Sequence, residues 1–162
     1  MLEDALIGTV AGALGTVALN ITTYVDMAIR GRSSSSAPSQ LVGKAAEKAN
    51  IPLSSKGVGA DDETAQNRES GIGALLGFVN GLGVGALYGI VRSQFDEDAV
   101  PIPLAGVVIG LAAMAASDVP LITSGVSDPK SWGVSGWVSD AVPHLIYGLV
   151  TAIAHETLRN AS

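Results

Sequence analysis

The chain has no cysteine, which excludes disulfides, thiolate catalysis and cysteine-based zinc sites. Charge is scarce as well: 15% of the 162 residues are Asp, Glu, Lys or Arg, against about 25% in a soluble domain. The net charge is −6 and no dense basic stretch occurs. Neutralising phosphates requires clustered Lys and Arg, so no nucleic-acid partner is expected. Only two histidines are present, too few for a three-ligand catalytic zinc site unaided. His155-Glu156 opens like a zinc-protease HExxH, yet Arg159 stands where the second imidazole belongs. Neither G-x-S-x-G nor a P-loop occurs. Ser135 and Ser139 lie near Asp140 and His144, a loose Ser/His/Asp set, but hydroxyls at a helix start are far more often caps. These absences argue against an enzyme and give no reason to expect a metal or cofactor.

What the chain does have is apolar residues and glycine. Hydrophobic residues make up 48%, there are 20 glycines, and the mean hydropathy is +0.41. A bilayer core of about 30 Å needs roughly 20 apolar residues at 1.5 Å rise each. Uncharged runs of that kind cover Ala5 to Val25, Ser70 to Val91 and Ala99 to Ser117. A fourth run, Gly136 to His155, is interrupted by Asp140. The expectation is an all-α integral membrane protein, a single membrane domain over 1–162 with spans at about 5–27, 70–92, 100–117 and 136–157. Glu3 and Asp4 stand where a signal peptide would carry positive charge, so an uncleaved first span is expected.

Lys and Arg set the orientation. Arg30, Arg32, Lys44, Lys48, Lys56 and Arg68 fall in the first loop and Lys130 in the third, leaving Arg92 and Arg159 for the other side. This pattern predicts cytoplasmic first and third loops and both termini outside. Trp132 and Trp137 would sit at the headgroup level, and Asp96-Glu97-Asp98 would face outward. Within the cytoplasmic loop 31–69, apolar Leu41, Val42, Ala45, Ala46 and Ala49 recur at helical spacing opposite Lys44, Glu47 and Lys48. A short amphipathic helix is expected, lying on the membrane surface or docked on a partner. Asp61, Asp62 and Glu63 favour a helix start ahead of the second span. The segment from Asp118 to Ser135, rich in Gly, Pro and Ser, reads as an irregular connection.

Gly73, Gly77, Gly81, Gly85 and Gly89 repeat every four residues along the second span, and Gly8 and Gly12 begin a weaker version in the first. Glycines at this spacing make a strip free of side chains, and close backbone contact drives helix association in lipid. The strip serves either packing within the chain or contact with another integral membrane subunit or a second copy. Polar groups within the spans are Asn20, Asp26, Asp140, His144 and His155, and ionisable groups in lipid are functional suspects. Asp140, His144, Thr151 and His155 share a face of the fourth span, and Asp140 can reach His144 across one turn. Either the pair relays protons or ions, or Asp140 and His155 sit at the two boundaries and only His144 lies deep.

The residues Ala18-Leu19-Asn20, Tyr24, Asp26-Met27 and Arg30-Gly31-Arg32 resemble the end of the first span in small, uncharacterised actinobacterial multi-span membrane proteins. The resemblance covers about fifteen residues and implies a bacterial plasma membrane, with no activity to transfer. The leading expectation for function is a non-catalytic accessory subunit of a larger membrane complex, most plausibly a transport system. The alternative is a homo-oligomeric channel or proton-coupled carrier that uses Asp140 and His144.

Overall fold

The computed structural model describes residues 1–96 and 100–161 and is all-helical. Five helices follow one another: α1 (Leu2–Arg30), α2 (Ala37–Lys48), α3 (Glu63–Arg92), α4 (Ile102–Thr123) and α5 (Gly133–Arg159). A 3₁₀ turn, Pro129–Ser131, precedes α5. Four of the five are long and apolar enough to cross a membrane: α1, α3, α4 and α5, with 29, 30, 22 and 27 residues. At 1.5 Å per residue they are about 44, 45, 33 and 40 Å long, all more than the roughly 30 Å of a bilayer core. Glu97 and Asp98 of the expected outward acidic run lie outside the described residues.

Local signals explain where the helices begin and end. α1 opens with Glu3 and Asp4 and closes with Arg30, charges that complement its dipole. It stops at Gly31, whose φ of 64° is left-handed and whose N–H caps the Met27 carbonyl. Asp62 caps α3 by accepting the Ala65 N–H at 2.8 Å, and it also accepts the Ser54 hydroxyl at 2.7 Å. Those bonds, the Ser54 one foremost, hold the Asp62 carboxyl below its ordinary 3.8. Pro101 and Pro103 fall at the start of α4, where a missing N–H does no harm. α4 then runs past Asp118 and through Pro120 to Thr123. The uncharged run ends at Asp118 but the helix does not, which replaces the first part of the irregular connection expected there.

Each long helix packs antiparallel on the next, and α5 returns to α1. The contacts fix the direction: Gly8 meets Gly85 and Gly89, Gly15 meets Thr151, and Gly110 meets His144 and Leu145. The result is an up-down-up-down bundle whose first and last residues share one end, while the first and third connections share the other. α2 packs mainly on α3 and touches α4 more lightly. Its Val42 is buried, and Lys44 Nζ donates to the carbonyls of Ser124 and Gly125, each at 3.2 Å. These carbonyls lie just past the end of α4, where no further helical turn supplies donors.

The core inverts the pattern of a water-soluble bundle. Its buried residues are chiefly glycine and alanine, such as Ala11, Ala105, Ala113 and Ala152, while Leu75, Val79 and Leu87 are more than 60% exposed. Such a surface suits an apolar surrounding. The four apolar helices fit a multi-pass membrane protein.

At the α1–α3 contact the backbones touch. A Cβ built on Gly12 would lie 2.6 Å from the Gly81 carbonyl oxygen, and one on Gly85 would lie 2.6 Å from Gly12 Cα. Gly89 sits against the Asp4 carbonyl. Gly73 faces Pro38 and Ser39 of α2 instead, and Gly77 has nothing within 4 Å. Helix geometry accounts for this division. Four residues turn about 400°, so a four-residue repeat drifts about 40° per step. Over the sixteen residues from Gly73 to Gly89 it winds about 160° around α3, and the five glycines cannot all face one neighbour.

Candidate functional site

A line of polar side chains on the inward face of α5 forms the candidate site. Asp140, His144, Tyr147, Thr151 and His155 follow at intervals of four, three, four and four residues, which keeps them on one side of a helix. The line extends about 22 Å at 1.5 Å per residue. Among the described residues, four buried side-chain polar atoms have no hydrogen-bond partner: Asp140 Oδ2, Thr151 Oγ1 and both ring nitrogens of His155. All four are on α5. Buried polar groups are normally satisfied, so such a concentration calls for a reason beyond packing.

At the end bearing the first and third connections, His144 Nδ1 lies 2.8 Å from the Asp140 carbonyl oxygen and 3.2 Å from Asp140 Oδ1. Both neighbours are acceptors, so Nδ1 carries the proton and Nε2 stays available. A third ionisable group joins them from α4: Asp118 faces Asp140 within hydrogen-bonding reach and feels the His144 charge. Asp118 stands five residues before the end of α4, about 8 Å inside it. Pro143, buried in α5, has no N–H to offer the Ser139 carbonyl.

Mid-bundle, the Tyr147 hydroxyl donates to the Gly81 carbonyl at 2.6 Å, and Thr16 Oγ1 donates to its own Gly12 carbonyl at 2.8 Å. Thr151 packs on Gly15 and is fully buried. Gly15 is what admits these side chains to the axis: a Cβ there would lie 2.8 Å from the Tyr147 ring.

At the opposite end His155 is 1% exposed and meets the Tyr88 ring edge-on, with centroids 4.9 Å apart. Arg92, 3% exposed, pairs with Glu156 at 3.6 Å and donates to the carbonyls of Phe95 and Asp96. Arg159 also reaches Glu156, at 3.4 Å.

The residues singled out in the sequence therefore separate. Asp140 and His144 come together. His155 is close to one end of the bundle, as a boundary position requires, but it is the more deeply enclosed of the two histidines. Asp26 belongs to a different cluster. It pairs with Arg30 at 2.7 Å and Arg32 at 2.5 Å, and Arg30 donates to Ser135 and Ser139 of α5. That cluster ties α1 to α5, and among the described residues no hydrogen bond joins Asn20 to it or to His144. Asp118, Tyr147, Tyr88 and Arg92 escaped the sequence reading. Asp118 and Arg92 stand at the edges of uncharged runs and read as boundaries, while Tyr147 lies beside Gly148, which fits the same periodicity. Its spacing of three from His144 and four from Thr151 was the available signal. No group of three or more His, Asp or Glu able to hold a metal ion occurs among the described residues.

Comparison with protein-family models, with curated proteins and with solved structures gives no match.

Proposed function

We propose that the protein is a proton-coupled carrier or proton-conducting membrane protein in which the polar face of α5 takes up and hands on protons. The observation that carries this reading is the restriction of every unpartnered buried polar atom among the described residues to α5, in line with His144 and Asp118. Asp118, Asp140 and His144 form a proton-accepting group at one end, and Tyr147, Thr151 and His155 continue the line toward the other. Adjacent groups are about a helical turn apart, so water or a side-chain rotation completes each transfer. Ionisable groups this deep are costly in lipid, about 2.5–3.5 kcal/mol for Asp on insertion scales, and a transport role would account for keeping them.

The bundle packs through its glycines in this reading, with Gly8 and Gly12 against Gly81, Gly85 and Gly89, leaving α5 free to carry polar groups. In this reading the Asp118–Asp140–His144 end and the amphipathic α2 face the cytoplasm and both termini lie outside, which the bias of Lys and Arg supports; the membrane is then a bacterial plasma membrane, as the resemblance of the first span implies. Proton flux into liposomes loaded with a pH-sensitive dye tests the function. Asp140→Asn and His144→Ala should each slow the flux at least about tenfold, a lower bound for losing a positioned proton-transfer group. Unchanged flux in both variants would remove the proposal.

A second reading, an accessory subunit of a larger transport assembly, draws on Gly71, Gly77 and Gly83. These have nothing within 4 Å, so another helix could approach there. Mild detergent extraction followed by mass spectrometry tests it, and recovery of the lone chain or a homo-oligomer would count against it.

A further inference from the structure

The outward face of α5 carries a second feature, separate from the polar line. A groove of about 580 Å³ runs between the 3₁₀ turn and α5, lined by Pro129, Val134, Trp137, Val138 and Val142 with Lys130 at its mouth. The groove is shallow and open to its surroundings, and its lining is apolar except for the one lysine. Neither α1 nor α4 closes it: Val134 is 82% exposed and Trp137 45%. It lies at the end of the bundle where α5 begins and the 3₁₀ turn leaves the helical region. At that level a membrane passes from acyl chains to headgroups, and tryptophan is enriched there.

The groove and the lysine are held in place. Asp128 Oδ1 accepts the Lys130 backbone N–H at 3.0 Å and caps the 3₁₀ turn. The Asp128 carboxylate is thus directed at the backbone and does not line the groove. Trp132 donates its indole N–H to Ser127 Oγ at 2.8 Å, and its ring lies 4.9 Å from that of Trp137. Among the described residues no carboxylate pairs with the Lys130 ammonium, and no hydrogen bond occupies it. The other lysine near this connection, Lys44, is already engaged with the carbonyls of Ser124 and Gly125.

We infer that this groove is a binding site for an anionic phospholipid, with one acyl chain along Val134, Trp137, Val138 and Val142 and the headgroup phosphate on Lys130. Charge complementarity selects the occupant. An apolar channel open to the bilayer and ending in one free ammonium matches a lipid that carries a single negative charge above its chains. The inference is independent of the proton-handling proposal, since none of these residues lies on the inward face of α5.

The chain's two tryptophans both lie here, which makes fluorescence the natural probe. Trp132→Phe leaves Trp137 as the sole reporter and keeps an aromatic ring beside it; because it gives up the indole bond to Ser127, the same lipid preference is also read in the two-tryptophan parent. In this background the protein is reconstituted into phosphatidylcholine vesicles containing increasing fractions of brominated phosphatidylglycerol, or of brominated phosphatidylcholine as the neutral comparison. Bromine on the acyl chain quenches Trp137 when that lipid occupies the groove. The anionic lipid should bind about fivefold more strongly than the neutral one, the effect of one lysine near a membrane surface. Lys130→Gln should bring the ratio to about one while leaving quenching by the neutral lipid intact. Equal quenching by both lipids in the parent, or an anionic preference that survives in Lys130→Gln, would overturn the inference. So would a Trp137 that neither lipid quenches, because a protein surface would then cover the groove.

Discussion

The α1–α3 contact and the inward face of α5 solve opposite problems with similar means. Where α1 meets α3, Gly8, Gly12, Gly85 and Gly89 set backbone against backbone and Gly81 receives the Thr16 side chain, so the two helices approach closely and bury no ionisable group between them. Where α5 meets α1 and α4, Gly15, Gly106 and Gly110 again admit a close neighbour. That neighbour brings Asp140, His144, Tyr147, Thr151 and His155 to the bundle axis. Glycine thus serves as contact surface in one place and as space for polar side chains in the other. A helix pair packed by dispersion alone is stable in lipid without any polar group. The α1–α3 pair thus needs no ionisable group, whereas α5 joins its neighbours partly through Tyr147 and Thr151.

Substitutions at the first contact should give the largest effects. Gly85→Leu would drive a side chain into the backbone of Gly8 and Gly12, and the bundle cannot absorb it by rotamer change. A loss of about 3 kcal/mol or more is expected, measured as detergent-dependent unfolding. Gly77→Leu, at the same periodicity but open to its surroundings, should change stability by no more than about 1 kcal/mol. Equal losses would show that the winding of the glycine strip around α3 is irrelevant.

Thr151→Val sharpens the contrast from the other side. It removes a buried hydroxyl whose nearest polar neighbour is the Tyr147 hydroxyl and keeps the side-chain shape, so unfolding should shift by no more than about 1 kcal/mol, while proton flux falls. A stability loss without any change in flux would move Thr151 into the packing machinery.

Asp62→Ala, remote from both regions, should have the smallest effect. It removes the α3 cap and should lower the unfolding temperature by a few degrees. Because the folded carboxyl titrates below 3.8, its contribution is complete above that pH and is lost as pH falls through the lower folded value. The difference between parent and variant should accordingly vanish in strong acid. A difference that persists there would mean that the cap does not act through its charge.

How much of this was legible in the sequence depends on whether a feature is local. The four long helices follow from uncharged runs, the α3 start from Asp62, and the α1 stop from Arg30-Gly31. Proximity in sequence also gave Asp140 beside His144. The end of α4 was hidden because Asp118 and Pro120 look like a boundary, yet a carboxyl can stay helical when another element receives it. Asp118 beside Asp140, and His155 beside Tyr88, are tertiary contacts that no spacing within one span reveals. The regular glycine repeat reads as one continuous strip without naming its neighbours. The drift of about 40° per step divides it between α1 and α2.

The central claim is that α5 carries protons and the α1–α3 contact does not. The most direct measurement is proton flux through proteoliposomes under an imposed pH gradient, for the parent chain and Asp140→Asn. The parent should dissipate the gradient faster than protein-free vesicles, and the variant at least about tenfold more slowly than the parent, with unfolding no easier than the parent's. A parent no faster than empty vesicles, or a variant as fast as the parent, would contradict the account.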